Sequence, residues 1–367
     1  MRILFITRKH PPETGGMENL SYNLIMAFKE RNDCQADTII LNRKQIHLLW
    51  WFPYALFLAL FRAGKADFVH LGDPALSLIG FFVKLIYKKP IAVTVHGLDV
   101  TFRFLPYQWY IKIFGRRFDN YICISQYALE QAKKRGFFPL VVIPVGVDFK
   151  KCKDQPSSLE SQAERRSKMH KEDFLEKYSL PSDKRILLTV GRLVKRKGVY
   201  WFTDKVMPDL PKNIVYFIVG NGEDRERIKR LIAQRKLDRR VYLLGRIPEQ
   251  DLIEIYRLAD LFIMPNIKVK NDMEGFGLVA LEAGLNDLPV VAAGIEGIRD
   301  AISDKENGFL VASEVASAFE EKILELLSDP SLSLSFGEKA RRYNQEHYDW
   351  KVIAKRYLDE FLKVQKV

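Results

Sequence analysis

Short apolar segments alternate with longer amphipathic segments through the first 150 residues of the chain. The apolar segments predict buried β-strands at Arg2 to Thr7, Asp67 to His70, Ile91 to Val95 and Tyr121 to Ile124. The segments between them have the periodicity of helices that bury one face, at Asn19 to Lys29, Leu76 to Tyr87 and Tyr107 to Phe118. This alternation predicts an α/β fold built on a parallel, doubly wound sheet.

The alternation returns after residue 184 and indicates a second domain. Strands are predicted there at Arg185 to Val190, Val215 to Val219, Val241 to Leu244, Ala259 to Pro265 and Leu288 to Ala292. A chain of 367 residues suits two domains of about 180 residues, each with its own core. We predict a first domain over residues 1–150, a polar connection over 151–184 with a short helix from Phe174 to Tyr178, and a second domain over 185–348.

The segment from Glu274 to Glu282 reads EGFGLVALE and stands between a predicted strand and a predicted helix. Gly275 and Gly277 allow the backbone to approach a ligand closely. A helix that begins here directs its first N–H groups and the positive end of its dipole toward whatever lies beyond them. The segment therefore predicts a site for a phosphate or diphosphate.

The two glutamates of this segment also permit a glycosidase interpretation. Such enzymes pair their carboxylates about 5 Å or roughly 6.5 to 9.5 Å apart. Eight helical residues span roughly 12 Å, so the spacing favours carboxylates that bind two parts of one long ligand. A surface helix with two solvated glutamates is the other alternative.

The segment EGFGLVALE resembles the signature of the retaining GT-B glycosyltransferases of family 4, which use nucleotide-sugar donors. The resemblance implies that Glu274 binds the donor sugar and that Glu282 binds the ribose. It implies that the donor diphosphate is held by the backbone after Glu274, at Phe276, Gly277, Leu278 and Val279.

The segment from Gly191 to Gly198 matches the family's Gly-Arg-x4-Lys-Gly element throughout. The match implies that Arg192 and Lys197 neutralise the diphosphate as it leaves. A basic surface loop is the alternative, and Lys195 and Arg196 are expected to be less specific.

The resemblance covers nearly the whole chain and adds further site residues. His96 matches the histidine that relatives place by the donor sugar, although a structural histidine is the alternative. Loops that resemble the family's donor or acceptor loops contain Gly15, Gly16, Gly220, Gly222 and Arg246. Two segments depart from the family pattern: Asn286-Asp287 before a strand, and residues 296–300, which read EGIRD where Gly-Ile-Pro-Glu is usual.

The resemblance implies a GT-B fold, in which two Rossmann-like domains face each other across a cleft. The terminal helix, residues 349–367, is expected to cross back to the first domain.

The implied reaction retains the anomeric configuration through attack on the face that the leaving group occupies. No metal or other cofactor is expected, because there is no Asp-x-Asp motif and protein cations can neutralise the diphosphate in place of a metal ion. An inactive nucleotide-sugar-binding subunit is the alternative, although Glu274, Arg192 and Lys197 are all present.

Charge is distributed unevenly along the chain, which has a net charge of +12. Residues 1–150 contain 20 Lys and Arg against 11 Asp and Glu, whereas residues 251–350 contain 9 against 19. The basic first part predicts a polyanionic partner, either a membrane surface or nucleic acid, and a solvated surface without a partner is the alternative. The sequence lacks the basic stripe with stacking aromatics of a nucleic-acid module.

Three widely spaced cysteines, and a strand in place of a signal peptide, favour the cytoplasm.

Residues 46–61 form the most apolar run of the sequence. The run falls short of the roughly 20 residues of a membrane span, and His47 and Pro53 interrupt it. Trp50 and Trp51, together with flanking cations, suit a helix at a lipid interface. The flanking cations are Arg43, Lys44, Arg62 and Lys65. Burial against the sheet is the alternative, and the two do not exclude each other. We expect a lipid-linked or glycan acceptor at the inner face of the cell membrane, in cell-envelope or polysaccharide synthesis.

Overall fold

The computed structural model describes residues 1–12, 15–42, 45–149, 176, 184–270 and 272–365. The predicted connection and the helix predicted at Phe174 to Tyr178 lie outside these residues, apart from Glu176 and Lys184. The chain forms two compact units. The first unit comprises Met1–Asp148 and His347–Val367, and the second comprises Phe149–Glu346.

The described part of the first unit contains a six-stranded sheet with the order β2-β1-β3-β4-β5-β6, in which every pair is parallel. Its strands are β1 Arg2–Thr7, β2 Gln35–Ile40, β3 Phe68–Leu71, β4 Ile91–Val95, β5 Asn120–Cys123 and β6 Leu140–Val142. The sequence did not predict β2 because this edge strand buries only Ile39 fully, so its residues lack an apolar run.

Helices cover both faces of this sheet. Their bounds are α1 Gly16–Lys29, α2 Leu48–Ala63, α3 Ser77–Tyr87, α4 Leu98–Thr101, α5 Leu105–Phe114 and α6 Gln126–Lys133. The predicted helix end at Phe118 was wrong, because α5 ends at Phe114 and is capped by Gly115. Pro53 does not interrupt α2, since the helix continues through it.

The second unit contains, among its described residues, a six-stranded parallel sheet with the order β12-β11-β10-β7-β8-β9. Its strands are β7 Arg185–Val190, β8 Ile214–Val219, β9 Val241–Gly245, β10 Leu261–Met264, β11 Val290–Ala293 and β12 Phe309–Val311. All residues of β8, β10 and β11 are buried. Strands covered by helices on both faces read as continuous apolar runs, which explains why the sequence predicted them.

The helices described in the second unit are α7 Val199–Lys205, α8 Arg225–Gln234, α9 Glu249–Leu258, α10 Leu278–Leu285, α11 Ile298–Ala301, α12 Ala316–Ser328 and α13 Pro330–Tyr348. The boundary between the units falls in the last turn of α13. A final helix, α14 Trp350–Gln365, belongs to the first unit. Phe361 of α14 stacks on Phe68 of β3 with ring centroids 4.3 Å apart, so this helix completes the first core.

Candidate active site

The strand order of the second sheet reverses between β10 and β7, which are neighbours in the sheet but not in sequence. Open parallel sheets bind ligands at the carboxyl ends of their strands, at such a reversal. The loop after β7 contains Arg192 and Lys197, and the loop after β10 leads to Glu274. The fold therefore gathers these predicted residues at one edge of the second sheet.

The Glu274 carboxylate is held by cations and an amide. Lys197 Nζ lies 2.6 Å from Glu274 Oε2, and Asn266 Nδ2 donates a hydrogen bond to the same oxygen at 3.0 Å. Burial alone would raise the pKa of Glu274, but the attraction and hydrogen bond of Lys197, together with the charge of Arg196 and the hydrogen bond of Asn266, hold that pKa below its usual value. Glu274 is therefore an ionised acceptor of hydrogen bonds rather than a proton donor.

Arg196 makes more contacts near Glu274 than the sequence indicated. Its side chain is buried and donates to both carboxylate oxygens of Asp272, at 2.9 and 3.1 Å. Arg196 Nε lies 3.7 Å from Glu274 Oε2, close enough to add positive potential but too far for a hydrogen bond. The lesser role expected of Arg196 toward the diphosphate stays a prediction, but the structure gives this residue a place beside Glu274 that the sequence did not predict. Its spacing of three residues from the buried Leu193 and Val199 could have identified its inward position.

Arg192 differs from its neighbours in this loop. Its side chain is exposed and has no ion pair with any residue that the structure describes. A guanidinium without a protein carboxylate partner remains available to an anionic ligand. Lys195 is also exposed, whereas Lys197 is already engaged by Glu274.

The helix α10 begins directly after the glycine turn. Gly277 adopts a left-handed conformation with φ of 98°, and no side chain caps the first turn of α10. The first N–H groups of a helix need partners from outside it, and an anion satisfies them well. Phe276 lies in this turn and is buried, with 4% of its surface exposed. Leu278 and Val279 form the start of the helix, as predicted.

Glu282 lies one turn further along α10. The Tyr256 hydroxyl donates a hydrogen bond to Glu282 Oε2 at 3.1 Å. Burial, together with the nearby Glu282 carboxylate, raises the pKa of Tyr256 well above its usual value, so this hydroxyl remains a donor. The tyrosine orients one carboxylate oxygen of Glu282, and the sequence did not single it out.

The glycine loops after β7, β8 and β9 lie against one another. A Cβ at Gly220 would lie 1.9 Å from Gly191 O, and the Gly220 N–H donates to Gly245 O at 2.7 Å. Only a residue without a side chain permits this approach. Gly222 likewise faces the Leu193 backbone, and Arg246 is exposed beside this cluster.

The remaining predicted residues belong to the first unit. His96 is 6% exposed, and its Nε2 lies 3.0 Å from Gly72 O. Gly15 precedes α1, and Gly16 begins it. The contact of His96 with donor sugar, and the contacts of the two glycines with donor or acceptor, stay predictions.

The sequence did not single out an ion pair at the carboxyl edge of the first sheet. Arg8 Nε lies 3.0 Å from Asp73 Oδ2, and Asp73 is completely buried. The two residues follow β1 and β3, where this sheet's strand order reverses. Lys9 and Glu18 form a second pair there at 3.0 Å.

Two family models match the chain. Residues 170–343 match the glycosyl transferases group 1, and residues 35–151 match glycosyltransferase family 4. An uncharacterized glycosyltransferase of Methanocaldococcus jannaschii is 30% identical over 301 residues, which cover 77% of this chain and 70% of that protein. This protein belongs to the group 1 glycosyltransferases.

Other comparisons extend over nearly the full chain. A GDP-mannose-dependent monoacylated alpha-(1-6)-phosphatidylinositol monomannoside mannosyltransferase of Corynebacterium glutamicum is 25% identical, with 97% of this chain and 96% of that protein covered. HepE of Anabaena in complex with UDP has a TM-score of 0.76 at 18% identity, covering 99% of this chain and 100% of that one. The catalytic domain of starch synthase IV of Arabidopsis thaliana, bound to ADP and acarbose, has a TM-score of 0.78 at 15% identity. This match covers 100% of this chain and 99% of that one. These likenesses confirm the predicted GT-B fold.

Proposed function

We propose that this glycosyltransferase moves a sugar from a nucleotide-sugar donor to a lipid-linked or glycan acceptor with retention of anomeric configuration. The observation that carries the proposal is the Lys197–Glu274 ion pair of 2.6 Å in the second unit, next to the uncapped first turn of α10. The pair offers a carboxylate for sugar hydroxyls and a cation for the diphosphate. The alternative of an inactive binding subunit is not favoured, since Arg192, Lys197 and Glu274 are all present.

The proposed step breaks the bond between the anomeric carbon and the β-phosphate oxygen and forms a bond from that carbon to the acceptor oxygen. The acceptor proton passes to the departing phosphate oxygen. Arg192, Lys197 and the first N–H groups of α10 stabilise the negative charge that develops on the diphosphate. In this proposal Glu274 binds the donor sugar and is not a nucleophile, and Lys197 and Asn266 orient it through Oε2. In this proposal the protein cations supply the charge that a metal ion supplies elsewhere, so no metal is required.

Donor binding and turnover with a panel of UDP-, GDP- and ADP-sugars test this proposal. Transfer to a lipid-linked glycan, or slow donor hydrolysis without an acceptor, is expected for at least one donor. The anomeric configuration of the product, read from its proton coupling constant, distinguishes retention from inversion. Binding without turnover for every donor and acceptor would contradict the proposal and favour the inactive subunit.

The acceptor is proposed to be presented at a membrane surface. The relative from Corynebacterium glutamicum acts on an acylated phosphatidylinositol mannoside, and a lipid-linked substrate of that kind lies in a bilayer. A protein that acts there needs a surface that contacts lipid.

Helix α2 has a buried face and an exposed apolar face. One narrow stripe is buried, consisting of Trp51, Ala55, Ala59 and Ala63. The other face exposes large apolar side chains: Leu49 and Trp50 are 78% and 79% exposed, and Tyr54, Phe57 and Phe61 are also exposed. Arg62 is partly neutralised by Asp37 at 3.1 Å, whereas Lys65 is exposed. Arg43 and Lys44 lie outside the described residues.

Two further helices of the first unit also expose apolar side chains. Helix α3 packs against α2 and exposes Leu85 and Ile86, and α5 packs against α3. Helix α5 and the segment before it expose Phe102, Phe104, Leu105, Trp109 and Ile113. Surfaces of this kind mark interaction sites. Among the described residues, no helix is long and apolar enough to cross a bilayer. The exposed apolar side chains support peripheral attachment of the first unit, at the cytoplasmic face in our proposal.

The protein is expected to co-sediment with vesicles that contain anionic lipid. The double variant Trp50→Ser and Phe57→Ser should weaken binding by about tenfold or more, because burying one large apolar side chain contributes about 1.5–3 kcal/mol. Added salt should weaken it further, since charge attraction is screened over about 8 to 10 Å. Leu324→Ser, at an exposed leucine of the second unit, is the matched control and should bind normally. Failure of the wild-type protein to sediment at low salt would contradict membrane attachment.

A further inference from the structure

Glu296 has an unusual backbone conformation in the loop between β11 and α11. Its φ is 48°, in the left-handed region that side chains with a Cβ rarely adopt. The next residue, Gly297, touches the glycine turn so closely that a Cβ there would lie 2.1 Å from Gly275 O. This loop therefore supports the turn that carries Glu274.

The loop holds the main chain of Glu274 at both of its polar groups. The Glu274 N–H donates to Glu296 Oε2 at 2.7 Å, and the Glu274 carbonyl accepts from the Gly297 N–H at 3.2 Å. Lys197 and Asn266 separately hold the Glu274 side chain. Glu274 is thus fixed through its N–H, its carbonyl and its carboxylate.

This arrangement costs stability in two ways. The left-handed backbone is strained, and a half-buried carboxylate lies near another one. Burial raises the pKa of Glu296, and the negative charge of Glu274 raises it further. The hydrogen bond from the Glu274 N–H lowers this pKa but does not outweigh burial. Strained residues persist when the surrounding structure holds them, and they concentrate at functional sites.

We infer that Glu296 is a positioning residue that orients Glu274 toward the donor sugar through the hydrogen bond to the Glu274 main chain. The inference rests on the proposed function, in which Glu274 binds the sugar. Among the described residues the Glu296 carboxylate bonds the Glu274 N–H and not the first turn of α10, so Glu296 acts through Glu274 rather than on the nucleotide. It should therefore matter for binding and transfer of a nucleotide sugar but not for binding of the nucleoside diphosphate alone.

The test compares Glu296→Gly with Glu314→Gly. Glu314 is also left-handed, with φ of 60°, and it is exposed in the same unit, so the two variants change the backbone alike. Glu296→Gly is expected to lower kcat about tenfold or more, because a small misplacement near the reaction can cost up to about 10²-fold. It should also weaken nucleotide-sugar binding and leave the Kd of the nucleoside diphosphate unchanged. Glu314→Gly should match the wild type in kcat, in nucleotide-sugar binding and in the Kd of the nucleoside diphosphate. Melting curves check that both variants fold.

Glu296→Gln supplies the second comparison, because its amide oxygen can still accept the Glu274 N–H. Its kcat should stay within about threefold of the wild type. An equal loss in the Gln and Gly variants would overturn the inference, as would a wild-type kcat in Glu296→Gly. Equal weakening of diphosphate and nucleotide-sugar binding would do the same. These outcomes differ from failure of the proposed function, in which the wild-type protein itself neither binds nor transfers from any nucleotide sugar.

Discussion

Replacing Lys197 with alanine is expected to lower kcat by about 10² or more, the usual effect of removing one preorganised charge stabiliser. Lys197 Nζ lies 2.6 Å from Glu274 Oε2 and can neutralise the leaving diphosphate beside it. Arg192→Ala should lower kcat to a similar extent, because Arg192, unlike Lys195, holds the arginine position of the Gly-Arg-x4-Lys-Gly element and has no described ion-pair partner that would keep it from the same anion.

The Lys197→Ala variant should also shift the pH dependence of the reaction. Lys197 is the main cation that holds the pKa of Glu274 below its usual value against burial, which raises it. Without Lys197 the pKa of Glu274 rises, so the carboxylate becomes protonated, and activity falls, at a higher pH than in the wild type. Initial rates measured across the acidic range at saturating donor show this shift directly.

Lys195→Ala is the control for Lys197→Ala. Lys195 carries the same charge two residues earlier in the loop, but it is exposed and is not paired with Glu274. Its removal should change kcat by no more than about twofold. A Lys197→Ala enzyme with wild-type turnover, or equal losses in the two variants, would rule out the proposed role of the ion pair.

Replacing Gly198 with alanine is expected to destabilise the second unit by roughly 3 kcal/mol or more. Gly198 has φ of 66°, and a Cβ there would lie 1.8 Å from Pro265 O. The alanine would therefore force apart the loops after β7 and β10. Since Lys197 is the preceding residue, the same displacement should also lower kcat.

Urea unfolding monitored by circular dichroism measures this loss of stability. Gly294→Ala is the matched control in the same unit, because a Cβ at Gly294 would meet its nearest atom at 3.5 Å, an ordinary contact. Its midpoint should stay close to that of the wild type. Equal midpoints for the two alanine variants would show that the approach of Gly198 to Pro265 is not as close as described.

Most strands and helices could be predicted from sequence because the fold covers both faces of each central strand. A strand such as β8, buried at every residue, must be apolar throughout, and that run is visible in the sequence. The edge strand β2 lacks this constraint and was missed. The ends of helices were predicted less well, because local capping residues determine where a helix ends. Helix α5, for example, ends at Phe114 and not at Phe118.

The local structure around the candidate site was predicted best where its residues are close in sequence, whereas the roles of these residues stay predictions. Glu274, the glycine turn and the start of α10 follow one another, so local spacing was sufficient to place them. The choice between burial and exposure for α2 could not be made in this way. It depends on neighbouring elements, which cover the alanine stripe and leave Trp50 and Phe57 exposed.

The sequence by itself determined the α/β class and the parallel sheets, and it predicted a carboxylate and cations for the candidate site. Tertiary structure alone decided which cations lie near Glu274, because β7 and β10 are adjacent only through the strand order of the sheet. It separated the buried Arg196 and the engaged Lys197 from the exposed Lys195, and it brought Glu296 to the Glu274 N–H. The physical reason is that burial and hydrogen bonding between distant segments depend on how strands pair, whereas apolar periodicity reports only the local environment of each segment.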